Sequence, residues 1–291
     1  METMNDTLAP NVMDNSPNRE LTNDKYRIDF AFFFLIIPLI LISVYILLWL
    51  FPQLEYIFVL QLSNPTVTSI YLSNYAHVSF WHLLNNLIIY CILIYLILTF
   101  EIDRKRFYTN MILFFTALPL LRFASVAYWT NIPSSIGFSC IVSGFIGYLT
   151  YSVYNYIKVY WNIHLDYRFP LSILLFNLLV ITSIYKWMQQ FLLLLLLFLF
   201  MIIMIRDGIK NLFYKIYNIC MSRKTKKFKN IVIFLFTICF ILFGSFSLFP
   251  VSIGQTNILS HYVGYCFGVL APLLFTEPLL KIIEKWKYIC G

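Results

Sequence analysis

The chain has 291 residues, 60% of them hydrophobic and only 12% charged, with a mean hydropathy of +0.78. That composition excludes a soluble globular domain and predicts an all-α polytopic membrane protein. The net charge of +8 does not point to nucleic acid, because the basic residues sit in short segments between apolar runs, where they report topology.

Residues 1–28 are polar and rich in Asn, Asp and Pro, and read as a disordered cytoplasmic tail; residues 29–291 read as one transmembrane domain. The first apolar run, 30–51, has about the ~20 residues a spanning helix needs and no small-residue cleavage site after it, so it is a retained helix. A loop containing His77 leads to the second span, 82–100, which opens with His82. Asn86 follows four residues later on the same helix face, with Asn85 beside it, and imidazole and amide can both donate hydrogen bonds. The third span is 107–127. The fourth, 137–157, opens with Gly137, Phe138, Ser139 and Cys140, and Ser139, Ser143 and Gly147 recur along it at helical spacing.

From 171 to 205 the apolar character breaks only at 186–190. One helix of that length would reach about 50 Å against a core of ~30 Å, so two spans are expected, 171–187 and 190–206. A basic segment, 206–230, precedes the seventh span, 231–249. The eighth, 257–276, opens with Ser260 and His261 and carries Gly264 and Gly268 as a G-x-x-x-G pattern, which lets helices approach closely.

With both termini inside, 19 of the 21 Lys and Arg fall in inner segments, as the positive-inside rule requires. Arg122 and Lys186 fall at outer ends, where their stems can snorkel to the interface. The same orientation places His82, Ser139 and His261 at the outer ends of their spans. Had one span been misassigned, Ser139 and His261 would lie on opposite sides of the bilayer.

The interiors of the apolar runs contain no Asp or Glu, so they lack the paired carboxylates of an aspartic protease, and no His-Glu-x-x-His marks a zinc site. The six cysteines, at 91, 140, 220, 239, 266 and 290, form no C-x-x-C pair; reduced thiols are expected, with no metal and no cofactor. What remains is Ser139 as a nucleophile and His261 as general base and acid, kept neutral by its apolar setting. Polar groups in such runs are costly and therefore usually functional.

His77-x4-His82-x3-Asn86, then Gly137-x-Ser139, then His261-x2-Gly264-x3-Gly268, in this order, resembles the rhomboid family of intramembrane serine proteases, with Leu62 to Thr66 similar to its archaeal members. The resemblance implies a six-helix core, here with about two additional helices, and a Ser139–His261 dyad without a carboxylate. It further implies oxyanion donors from His82, Asn86 and the Ser139 N–H, and a structural role for His77. The implied activity is cleavage of transmembrane helices of membrane-protein substrates near the outer face of the cell membrane. The lipid bilayer is the other partner, and the residues specify no oligomeric state.

Three features depart from the family. Cys140 stands where Gly usually follows the nucleophile and adds volume facing the His261 helix. Three spans rather than one separate Ser139 from His261, and the Trp-Arg pair of many bacterial members is missing from 52–80. These departures leave a catalytically inactive, client-binding rhomboid-like protein as the alternative. A transporter is disfavoured by the lack of intramembrane charges and internal repeats.

Overall fold

A computed structural model describes residues 24–129, 133–184, 188–221, 225–248, 258–280 and 282. Among the described residues the fold is all-α apart from one pair of two-residue strands. Helix α1 (Asp24–Ala31) passes through a π-helical turn, Phe32–Ile36, into α2 (Ile37–Leu50). The expected tail boundary at 28 therefore falls inside a helix, and the rest of the tail, 1–23, lies outside the described residues. Asp29 explains the early start: it is buried and accepts from Arg104 Nη2 at 2.7 Å and from the Tyr108 hydroxyl, which ties this end to the third long helix.

The connection after α2 is structured. It holds α3 (Glu55–Phe58), strand β1 (Leu60–Gln61) and α4 (Val67–Leu72). Thr66 caps α4 with a reciprocal capping box: its hydroxyl accepts from the Ser69 N–H at 3.0 Å and its own N–H donates to Ser69 Oγ at 3.1 Å. Next come α5 (Phe80–Phe100), α6 (Arg104–Trp129), strand β2 (Ser134–Ser135), paired antiparallel with β1, and α7 (Ser139–Tyr160). Then α8 (Arg168–Ile184), α9 (Met188–Met221), α10 (Thr225–Leu248) and α11 (Ile258–Ala271) follow, the last running through a second π-helical turn, Pro272–Thr276.

Five helices among the described residues are long and apolar enough to cross a membrane: Ile28–Leu50, Phe80–Phe100, Arg104–Tyr128, Gln190–Met221 and Ile258–Leu280. Their number is compatible with a multi-pass membrane protein. Each of the eight expected spans falls on a helix. Helices α8 and α10 carry shorter apolar stretches, Arg168–Val180 and Asn230–Phe243.

Helix α7 falls short for a different reason. Every residue from Ser139 to Ile157 is buried, enclosed by α5, α6, α8, α10 and α11. A helix wrapped by protein need not be uniformly apolar, so α7 can carry Ser, Thr, Tyr and Asn if each finds a partner. It is the axis of the fold.

Helices α8 and α9 are distinct and pack against each other; of the break expected at 186–190, residues 188–190 already belong to α9, and residues 185–187, Lys186 among them, lie outside the described residues. The expected loop from 206 is not a loop. Helix α9 continues to Met221 because Ile205, Ile209, Leu212 and Ile216 repeat at helical spacing and pack inward, while Arg206, Asp207 and Lys210 face out.

Arg122 also departs from expectation. Its side chain is 2% exposed and turned inward, not snorkelled outward.

Candidate active site

The N-terminus of α7 is set by the turn before it. Gly137 has φ +131, a conformation that side chains rarely tolerate, and its N–H donates to the Ser73 carbonyl at 2.8 Å. A Cβ built on Gly137 would lie 3.2 Å from His82 Cε1, 3.8 Å from His82 Nε2 and 3.7 Å from Ser139 Oγ. The space between His82 and Ser139 is therefore the space that Gly137 leaves empty.

Ser139 is the first residue of α7. The N–H groups of Ile141 and Val142 both donate to the Phe138 carbonyl, at 3.0 and 3.1 Å. At a helix start the N–H groups of the first residues have no intrahelical acceptor and carry the positive end of the helix dipole. Those of Ser139 and Cys140 hold these positions.

His261 lies in the first turn of α11. Its Nε2 is 2.6 Å from Ser139 Oγ, both side chains being buried. In the Nδ1–H tautomer the serine hydroxyl donates to Nε2, the arrangement in which imidazole can take the proton from an attacking hydroxyl.

Close packing of α7 on α11 brings this pair together. A Cβ on Gly264 would fall 2.1 Å from the Cys140 carbonyl oxygen, one on Gly268 would fall 1.9 Å from the Gly144 carbonyl oxygen, and one on Gly147 would fall 2.3 Å from the Tyr265 carbonyl oxygen. The helices touch backbone to backbone, which only glycine allows. Gly144 is a member of this seam that the sequence pattern missed. Ser143, expected there, instead returns its hydroxyl to the Ser139 carbonyl at 2.8 Å.

Cys140 faces α11 as expected: its Sγ would stand 3.3 Å from a Cβ on Gly264. Yet the serine–histidine contact closes with Cys140 in place, so its added volume is accommodated.

His82 sits in the first turn of α5, which Ser79 caps by accepting from the His82 N–H at 3.3 Å. Asn86 is one turn further and buried, and its Nδ2 donates to the His82 carbonyl at 3.0 Å, which engages one of the two N–H donors of the amide. His77 packs edge-on against His82 with ring centroids 5.2 Å apart. It is buried; burial first, and His82 second, push its pKa down to about 3, against a backbone hydrogen bond with Tyr75 that raises it. Among the described residues no cluster of His, Cys, Asp or Glu could hold a metal.

Two groupings were not legible as a site. Asn177 of α8 donates to the Tyr265 hydroxyl, anchoring α8 to α11 one turn below His261. At the opposite end of α7, Glu101 is buried with Arg106, and accepts from the Tyr148 hydroxyl at 2.6 Å and from Ser152 Oγ at 3.2 Å; the Tyr151 hydroxyl donates to Glu277. Glu101 is the C-cap of α5 and Glu277 follows the π-helical turn of α11. Only packing shows that they are paired inside.

No family model matches the chain, and no curated protein or solved structure matches it.

Proposed function

We propose that this chain is an intramembrane serine endopeptidase of the rhomboid kind, in which Ser139 attacks and His261 serves as general base and then general acid. The observation that carries the reading is the 2.6 Å contact between His261 Nε2 and Ser139 Oγ, made by residues 122 apart in sequence. A buried serine hydroxyl on a histidine, at a helix N-terminus and beside an open glycine, is the set that acyl transfer needs: nucleophile, base and N–H donors for the oxyanion. The first-turn N–H groups of Ser139 and Cys140, with the His82 ring across Gly137, are the donors in this scheme. Asn86 acts through His82, whose carbonyl it holds.

The same reading orients the chain with both termini cytoplasmic and puts the dyad near the outer face of the cell membrane. Its core is the six helices of the resemblance, with two more inserted between α7 and α11. Helix α9, which packs on α8 and α10 and is mostly unburied, is one of these two. Substrates are transmembrane helices with Gly, Pro or small residues near the scissile bond, because a carbonyl inside a regular helix is shielded from attack.

The test is cleavage of a transmembrane substrate by purified protein, together with covalent labelling by a fluorophosphonate probe. Ser139→Ala and His261→Ala are each expected to abolish turnover, since nucleophile and base act as one unit. Wild-type turnover in Ser139→Ala overturns the reading. A folded wild type that never labels leaves the client-binding alternative.

A further inference from the structure

The proposed catalytic geometry depends on Gly137, and Gly137 is held by a loop that contains no element of its own. What holds that loop comes from α6. The Arg122 guanidinium reaches two chain segments at once: Nη1 donates to Ser73 Oγ at 3.2 Å and to Asn74 Oδ1 at 2.9 Å, and Nη2 donates to Ser135 Oγ at 2.7 Å. Ser73 is the residue whose carbonyl accepts the Gly137 N–H, and Ser135 lies two residues before Gly137 on β2. Asn74 is itself fixed, its Nδ2 donating to the Ile70 carbonyl at 2.9 Å and the Tyr71 carbonyl at 3.1 Å. It leads directly into the turn that carries His77 and His82.

One buried cation thus joins the segment entering the His82 helix to the segment entering the Ser139 helix. All three acceptors are neutral, so among the described residues no carboxylate offsets the desolvation of this charge. Retaining an arginine on such terms is expensive, and the planar fork supplies what a point charge cannot, donors in two directions at fixed spacing.

We propose that Arg122 is a positioning residue: it sets Gly137 and the first turn of α7 against His82, so that the oxyanion donors converge on the oxygen of the carbonyl whose carbon Ser139 attacks. The proposal rests on the protease reading. It also assigns to α6 the task of ordering the loops around the site in a chain that lacks the outer-loop Trp-Arg pair.

The experiment uses the full chain purified in detergent, with Arg122→Lys and Ser135→Ala. Five quantities are measured: kcat and KM on a transmembrane substrate, the rate of fluorophosphonate labelling, Tm, and hydrogen exchange across 133–139. Arg122→Lys keeps the charge but cannot span both segments. Its kcat and labelling rate are expected to fall together by about 10²-fold, with KM changed less than about threefold. Exchange of the Gly137 amide should accelerate while the middle of α7 stays protected. Ser135→Ala should lose about tenfold, and the double variant should be no slower than Arg122→Lys alone, because the two act through one contact.

Unchanged kcat in Arg122→Lys, with only a lower Tm, overturns the positioning role and leaves a structural one. If Arg122→Lys does not fold, Ser135→Ala decides: wild-type kcat there overturns the proposal. A wild type that neither cleaves nor labels overturns the enzymatic reading and this proposal with it, even where the exchange data show the loop loosened by Arg122→Lys.

Discussion

At the scale of single residues, the site is built by removing side chains as much as by adding them. Gly137 opens the space between His82 and Ser139, and the polar residues around it are held by the His261 ring, the Arg122 guanidinium and backbone carbonyls. His77 carries a measurable consequence of this environment. Its pKa is pushed from 6.5 down to about 3 in the folded protein, so between those values the unfolded chain binds a proton that the folded chain refuses. Stability is therefore level above about pH 6.5 and falls as the pH drops towards 3, by up to about 1.4 kcal/mol per pH unit from this one group. His77→Phe keeps a ring and removes the titration, so the difference in Tm between it and wild type should shift steadily in its favour over that window. Parallel Tm curves from pH 7 to pH 4 would show that His77 is not held neutral. Sequence alone marked His77 as near the site but could not reveal that its ring is buried edge-on against His82.

At the scale of elements, the contact of α7 with α11 is what turns two distant motifs into one site. The G-x-x-x-G of Gly264 and Gly268 announced one half of it; the other half, Cys140, Gly144 and Gly147, was only partly legible, because small residues on a buried helix point to several neighbours at once. Gly144, for instance, directs its open side at Phe114 and Leu118 of α6 and offers α11 its carbonyl. Gly268→Ala should force the helices apart, since the new methyl meets the Gly144 carbonyl carbon at 2.8 Å as well as its oxygen. Fluorophosphonate reactivity should be lost and Tm should fall, at a cost of about 1–3 kcal/mol or more. Cys140→Leu should act in the same direction, whereas Cys140→Gly should stay within about threefold of wild type because the dyad already closes around cysteine. A Gly268→Ala protein with normal labelling would mean that the seam is not what sets the dyad distance.

At the scale of the whole molecule, α9 is the outlying element. It is 34 residues long, about 51 Å at 1.5 Å per residue, and therefore longer than a ~30 Å bilayer core. The proposed orientation puts its C-terminal part, including the free Cys220, on the cytoplasmic side. A membrane-impermeant thiol reagent added to intact cells should leave Cys220 unlabelled and should reach it after permeabilisation, with Cys220→Ser as the control. Labelling from outside would reverse the proposed topology.

The amino-acid sequence by itself determined the all-α class and where along the chain the long apolar helices fall, because apolar run length acts locally along the chain. It also singled out Ser139, His82 and His261, since polar residues at the starts of apolar runs stand out against their surroundings. It misread Arg122 as a snorkelling side chain, because a charged residue looks the same in one dimension whether its partners are water or residues 49 positions away, as Ser73 is from Arg122; it misread 206–221 as loop, because the exposed charges of that helix outweighed the apolar spacing of its inner face. Only the tertiary structure decided that α7 lies at the centre, that backbone meets backbone along α11, and that one buried guanidinium ties the two loops of the site together. Those are properties of helices brought side by side, and the distances that carry them are set by packing between segments far apart in the chain.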